Sequence, residues 1–337
     1  MNQEMMRDII KERKFLFFGG KGGVGKTTMA ATTATWLSDH GYKTLIVATD
    51  PTVSLSAIYG QDISATEVTK IGTERNLCGL NINPKKAMGV FQSRLEGMME
   101  GFSSMFGSEL LSTPCTEEIA AFDQFVSYFE DNEHDKVVFD TAPTRHTVRL
   151  LKLPGEWTSF LEDGLGDASC LGPMAGLDKT RTTYADALTA LADSSVTRLG
   201  LVARPQTSSL AEASRTADEL AEAGVHATHL VINGILPSEP ISDVLADAIR
   251  AEETAAIAAM PVNLAGLAID RLPLRSRDVM GLDALTTLLS EAPDHTPALA
   301  APRANAPAGS SDSLAATIEQ LAAKDHGLIM VVGKGGV

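Results

Sequence analysis

A chain of 337 residues, 44% hydrophobic and 21% charged, has the make-up of a folded globular protein with room for one large α/β domain or two small ones, so global disorder is excluded. Lys+Arg 28 against Asp+Glu 43 gives a formal charge of -15, the wrong sign for a protein that neutralises phosphate backbones, and no nucleic acid is expected as a partner. No apolar run reaches the roughly 18 to 20 residues of a membrane-spanning helix, residues 1–15 carry no signal-peptide core, and three scattered cysteines form neither a disulfide framework nor a CxxC zinc site. A cytoplasmic protein with reduced thiols is expected.

In chain order, Phe15 to Gly19 is a short apolar strand running into glycines, and Thr27 to His40 reads as a helix stopped by Gly41. Lys43 to Thr49, Leu77 to Asn83, Lys136 to Asp140, Val196 to Ala203 and His229 to Asn233 follow as apolar strands. Helical patterns such as Ser209 to Ala223 and Ala284 to Leu289 lie between them. The alternation predicts an α/β fold with a mostly parallel sheet and helices on both faces, formed by residues 1–290. Residues 85–130 break the rhythm with two helix-like segments and no strand, an expected helical insertion. Its Met88, Met98, Met99 and Met105 read either as adaptable core filling or as a binding stripe. Residues 291–313 turn rich in Pro, Ala, Gly and Ser, the composition of a linker. In residues 314–337 a helix-like stretch leads to MVVGKGGV, whose last five residues repeat Gly20 to Val24. This reads as the truncated start of a second phosphate-loop half, the chain being the first half of a tandem duplication.

Gly20-Lys21-Gly22-Gly23-Val24-Gly25-Lys26-Thr27 fits G-x-x-x-x-G-K-[ST] and stands between an apolar strand and a helix, as a phosphate-binding loop requires. Backbone N–H groups of the loop, reinforced by the helix N-terminus, are expected to close around phosphate oxygens. Lys26 is expected at the β/γ-phosphates, the Thr27 hydroxyl on Mg²⁺ and Thr28 near the α-phosphate. The same residues satisfy G-x-G-x-x-G, with Asp50 about 25 positions after Gly25, as in dinucleotide-binding folds. Lys26-Thr27 has a role only with a triphosphate, which favours the nucleoside triphosphatase. Asp140, ending an apolar strand, takes the Walker B position that holds Mg²⁺. Asp50, in VATDP, is placed to orient or deprotonate the attacking water beside the same Mg²⁺; a helix-capping Asp-Pro turn is the competing reading. The second lysine, Lys21, resembles the early lysine of deviant Walker A ATPases, which reaches across an interface to the nucleotide of the facing half; a solvated surface lysine is the alternative.

The segment Asp140 to Thr147, DTAPTRHT, followed by VRLLKLP, closely resembles the DTAPTGHT signature of the arsenical pump-driving ATPase family. PCTEEIAAF around Cys115 and ASCLGPMAGL around Cys170 resemble that family's two cysteine segments, and the resemblance runs along essentially the whole chain. It implies a deviant Walker A P-loop fold and hydrolysis of ATP with Mg²⁺, stimulated by As(III) or Sb(III), in which Lys21, Lys26 and Asp50 are catalytic. It also implies metalloid ligation by Cys115, His146 and Cys170, with further ligands from a second half. Trivalent arsenic and antimony are soft and thiophilic, so thiolates suit them and imidazole is a plausible helper. Without the flanking matches, each cysteine reads as a core thiol and His146 as a structural histidine; Cys78 has no matching segment and reads as core. By the same resemblance Asn233 recognises adenine and Pro273 lies in a base-packing loop. The implied partners are an integral membrane arsenite efflux protein, a small arsenic metallochaperone, and a second homologous half within the chain or a homodimer. The implied location is cytoplasmic, peripherally attached to the inner membrane. Six residues from Asp140 to His146 span at most roughly 20 Å, so one segment can feel both sites. Arg145 stands where the signature has Gly, and Val53 where the switch segment carries a polar residue. The alternative is a tail-anchored membrane-protein targeting ATPase, which shares the loop and the signature. The missing CxxC and the two cysteine segments favour the pump. Partitioning and division-site ATPases share GKGGVGKTT, but their DNA or membrane binding does not fit this acidic chain.

Overall fold

The computed structural model describes residues 12–49, 55–83, 85–89, 114–140, 185–187, 189–222, 224–237, 243–289, 318–319 and 322. The chain divides into two units, Met1–Ser290 and Glu291–Val337. All the elements below belong to the first; in the second, the three described residues are helical.

The described strands are β1 (Phe15–Gly19), β2 (Thr44–Ala48), β3 (Thr69–Lys70), β4 (Leu77–Asn81), β5 (Lys136–Asp140), β6 (Thr197–Ala203), β7 (His229–Ile235) and β8 (Ala268–Pro273). They form one eight-stranded sheet in the order β3-β4-β2-β5-β1-β6-β7-β8. Every neighbouring pair is parallel except β3–β4, where a two-residue edge strand runs antiparallel. β1, β2 and β5 are buried at every position, because a parallel sheet carries helices on both faces and leaves neither to water.

Alternation along β1 divides the core. Phe15 and Phe17 join one layer, with Leu45, Val47, Val137 and Phe139. Leu16 and Phe18 join the opposite layer, with Ile46, Ala48 and Val138. The second layer is covered by α1 (Lys26–Asp39), α2 (Leu55–Tyr59) and α7 (Leu282–Leu288). Ala30, Ala31 and Ala34 are fully buried along α1; their short side chains let the helix lie close to the strands. The Tyr59 hydroxyl donates to the Ala31 carbonyl at 3.1 Å and ties α2 onto α1. The first layer is covered by α3 (Pro114–Ser127), α4 (Thr207–Glu222), α5 (Val244–Ala258) and α6 (Val262–Ala265). Here five phenylalanines interlock: Phe17 stacks on Phe139 at 4.5 Å, Phe125 meets Phe139 at 4.8 Å, and Phe15 meets Phe129 at 4.7 Å. Each buried ring contributes on the order of 1.5–3 kcal/mol of transfer free energy. Met88 is buried in this layer, while Met98, Met99 and Met105 lie outside the described residues.

Between β4 and β5 the described residues are helical at 85–89 and in α3; residues 90–113 are outside them. β8 was not among the expected strands. It pairs in parallel with β7 through a bulge at Asn233/Ile235, and a buried hydrogen bond crosses the two, between His229 Nε2 and Asp270 Oδ2 at 2.5 Å. Among the described residues no helix is long and apolar enough to cross a membrane.

Candidate functional site

Chain crossovers concentrate polar residues at one end of the sheet. From β1 the chain passes through α1 to β2, leaving room for β5 between them, while β6 joins the other side of β1. Such a switch in strand order opens a crevice at the carboxyl ends of the strands. Gly19, Thr49, Asp140, Arg204 and Asn233 stand at or next to those ends on β1, β2, β5, β6 and β7. The register sets their level: Asp140 pairs with Phe18 on one side and Ala48 on the other.

The loop between β1 and α1 is shaped by close approach. Gly20 adopts φ +142, and a Cβ there would lie 2.3 Å from the Val202 carbonyl oxygen of β6. Gly25 adopts φ +98, and a Cβ there would lie 2.4 Å from Asn233 Nδ2. Both positions therefore require glycine. Asn233 Nδ2 donates to the Val24 carbonyl at 2.9 Å, so β7 holds the far side of the loop. Gly25 caps α1 without a side-chain hydrogen bond, which leaves the first backbone N–H groups of the helix to an anionic acceptor. Lys26 is buried at 6% exposure with its Nζ donating to the Lys21 carbonyl at 3.3 Å, folded along the loop it is expected to serve. Lys21 is exposed, and Thr27 and Thr28 are half-buried in the first turn of α1.

Asp140 is fully buried at the end of β5. Its carbonyl accepts from Thr49 N at 2.9 Å and from Thr49 Oγ1 at 3.3 Å. The residue before Asp50 is thereby fastened to the end of β5. On the other side of the Asp50–Ser54 stretch, Asn81 Oδ1 accepts from Leu55 N at 3.1 Å while its Nδ2 donates to the Ile63 carbonyl at 3.1 Å. Thr49 and Asn81 were missed by sequence reading; their roles depend on strand register, and the one local signal is that Thr49 precedes Asp50. Arg204, also missed, packs its guanidinium over Gly234, beside Asn233. Pro273 is exposed at the end of β8, opposite Ile235, at the same end of the sheet as Asn233.

The structure thus brings together Gly20 to Thr28, Asp140 and Asn233. Asp50, His146 and Cys170 lie outside the described residues. Cys115 is the second residue of α3, and its side chain is also outside them. Among the described residues no group of three or more His, Cys, Asp or Glu side chains could hold a metal ion. The glycine cradle, helix start and buried lysine suit a chain of phosphates. The Thr27 hydroxyl and Asp140 carboxylate are oxygen donors, the chemistry Mg²⁺ takes, and would hold it.

Residues 13–292 match the family model described as Anion-transporting ATPase. The chain is 44% identical over 334 residues to the "Arsenical pump-driving ATPase" of Escherichia coli, covering 96% of this chain and 56% of that protein. It is 43% identical to the protein of the same name from Acidiphilium multivorum, again over 96% of this chain and 56% of the relative. It is 30% identical to "ATPase GET3B" of Arabidopsis thaliana over 82% of this chain and 78% of that protein. The chain spans little more than half the length of the pump relatives. A glycine loop after β1 braced by Val202 of β6 and Asn233 of β7, with a buried carboxylate ending the neighbouring β5, lies within the matched residues, and the chain belongs to the anion-transporting ATPase family.

Proposed function

We propose that this chain is an ATP-hydrolysing unit that energises efflux of arsenite or antimonite through an integral membrane partner. The observation that carries ATP hydrolysis is the cradle itself: a buried Lys26 in a glycine loop, one strand away from a buried Asp140. Metalloid substrate and pump partner rest on the names of the relatives and on the segments around Cys115, Asp140–Thr147 and Cys170.

In this reading the loop amides and Lys26 carry the triphosphate charge, and Lys21, exposed on the loop, serves the nucleotide of a facing half. That half is a homologous unit in the same polypeptide or a second copy. Thr27 and Asp140 hold Mg²⁺, with Asp50 beside them. When bound, Mg²⁺ supplies charge neutralisation on the phosphate oxygens. Asp50 orients the attacking water, fixed at its entry by the Thr49 bonds to Asp140. Catalysis is mostly positioning and electrostatic stabilisation, as is general for phosphoryl transfer. Asn233 and Pro273 face the base. Cys115, His146 and Cys170 ligate the metalloid as substrate, and the stretch from Asp140 to His146 links its binding to turnover. A small metallochaperone delivers the metalloid, and the unit docks peripherally at the inner membrane.

The test is ATP binding and turnover with and without antimonite, in the unaltered chain, Lys26→Ala and Cys115→Ser. ATP binding lost in Lys26→Ala, and antimonite stimulation lost in Cys115→Ser with binding retained, are expected. Tight binding of a hydrophobic helix with no metalloid response would transfer the site to membrane-protein targeting. Failure to bind ATP at all would end both readings.

A further inference from the structure

Arg204 follows β6 directly, and its side chain turns across to the neighbouring strand. A Cβ built on Gly234 would stand 2.0 Å from Arg204 Nη1, 2.6 Å from its Cζ and 3.1 Å from its Nη2, so one face of the guanidinium lies against the bare backbone of Gly234. Gly234 separates two residues of the crevice. On one side is Asn233, whose Nδ2 donates to the Val24 carbonyl of the glycine loop at 2.9 Å. On the other is Ile235, which pairs with Pro273 of β8. The guanidinium therefore stands on the ground between the two positions, Asn233 and Pro273, that the proposed function turns toward the base.

The backbone beneath this side chain is fixed. Arg204 N donates to Ser209 Oγ at 2.9 Å, the Arg204 carbonyl accepts from Gln206 N at 2.7 Å, and Pro205 is buried. The residue itself is half-buried, and among the described residues its guanidinium enters no hydrogen bond or ion pair. A guanidinium is planar, weakly hydrated and always charged, and it stacks on aromatic rings as well as forking to carboxylates. Here one face is taken up by Gly234, and the other is available to a second flat group. The phosphate-binding groups of the site, the amides of Gly20 to Gly25 and the Lys26 ammonium, lie on the loop after β1, on the far side of the Asn233 brace.

We propose that Arg204 is a base-contact residue, its guanidinium stacking on one face of the adenine ring of bound ATP. The proposal rests on the ATPase reading given above and deepens it. Stacking is indifferent to the substituents of the ring, so Arg204 adds affinity, while choice among purines falls to groups at the ring's edge such as Asn233.

The experiment measures, by calorimetry, binding of Mg·ATP, Mg·GTP and Mg·tripolyphosphate, a phosphate chain without a ring, to the unaltered chain, Arg204→Ala and Arg204→Lys. Loss of a cation–π stack predicts ATP affinity falling about three- to thirtyfold in Arg204→Ala, with tripolyphosphate affinity held within about twofold. GTP should weaken in step with ATP. Arg204→Lys keeps the charge but loses the plane, so it should recover only part of the ATP affinity; it carries the same ATP-to-tripolyphosphate comparison if Arg204→Ala does not fold. Equal losses for ATP and tripolyphosphate would make Arg204 a phosphate contact, and ATP affinity unchanged in Arg204→Ala would leave it a structural side chain; either result overturns the stack. An unaltered chain that binds ATP no better than tripolyphosphate would refute the base contact alone, whereas one that binds neither would refute the ATPase reading beneath it.

Discussion

Replacing Gly20 by alanine tests whether the phosphate loop is shaped by its contact with β6 or only by its motif. The added Cβ would stand 2.3 Å from the Val202 carbonyl oxygen, in a backbone conformation of φ +142. Left-handed backbone costs an L-residue about 1–2 kcal/mol. Relieving the overlap needs a shift of roughly 1 Å against a fully hydrogen-bonded central strand, comparable to overpacking a core at about 1–3 kcal/mol. Together Gly20→Ala should lose on the order of 2–5 kcal/mol. Gly22 supplies the control, because it belongs to the same motif yet a Cβ there meets nothing within 4 Å. Gly22→Ala should stay within ~0.5 kcal/mol, as ordinary surface changes do. Urea unfolding in the absence of nucleotide measures both. Equal losses in the two variants, or a loss below about 0.5 kcal/mol in Gly20→Ala, would refute the wedge.

The buried His229–Asp270 pair should be strongly coupled: Asp270→Ala leaves an unpaired buried imidazole and should cost about 1–3 kcal/mol if the pair is neutral or ~3–5 kcal/mol if it is ionised. Paired apolar replacement of both should cost less than Asp270→Ala alone, and an additive double-mutant cycle would contradict the coupling. His134, whose folded value lies above its ordinary one, contributes stability that is complete below about pH 6.5 and is lost as pH rises through the raised folded value. The gap in urea midpoint between the unaltered chain and His134→Asn should therefore shrink as pH is raised above about 6.5; a gap that is flat or widens with pH would contradict it.

Much of the fold was legible because the central strands are short uninterrupted apolar runs that end in glycine or aspartate. FLFFG and KVVFD could be bounded at both ends from sequence, and so could the phosphate loop and Asp140 between and beyond them. β8 was not legible, since AIDRLP carries Asp270 and Arg271 where an apolar run was sought. The Asp270 carboxylate is hydrogen-bonded to His229, which is 41 residues away in sequence, so its burial has no local signature. α5 was obscured in the same way. Asp243 caps it by accepting from Leu245 N and Ala246 N, but Val244 and Leu245 are exposed on its first turn, and the apolar pattern misstates its buried side. In the site, Lys26 and Asp140 were readable because their spacing is local. Thr49, Asn81 and Arg204 act through strand neighbours that only the sheet order brings together. Cys78 was read as core; it packs against the first layer but is only half-buried.

The loop's two braces, a β6 carbonyl behind Gly20 and the Asn233 amide at Gly25, are contacts of the protein with itself, so the protein alone supplies the loop's mould. Little ordering cost then falls on the α- and β-phosphates, which both product and reactant possess. A mould of that kind grips spent and fresh nucleotide nearly alike. Under the proposed function, telling them apart falls to whatever touches the terminal phosphate, a role that reading gives to the joined tips of β2 and β5, where Thr49 clasps Asp140.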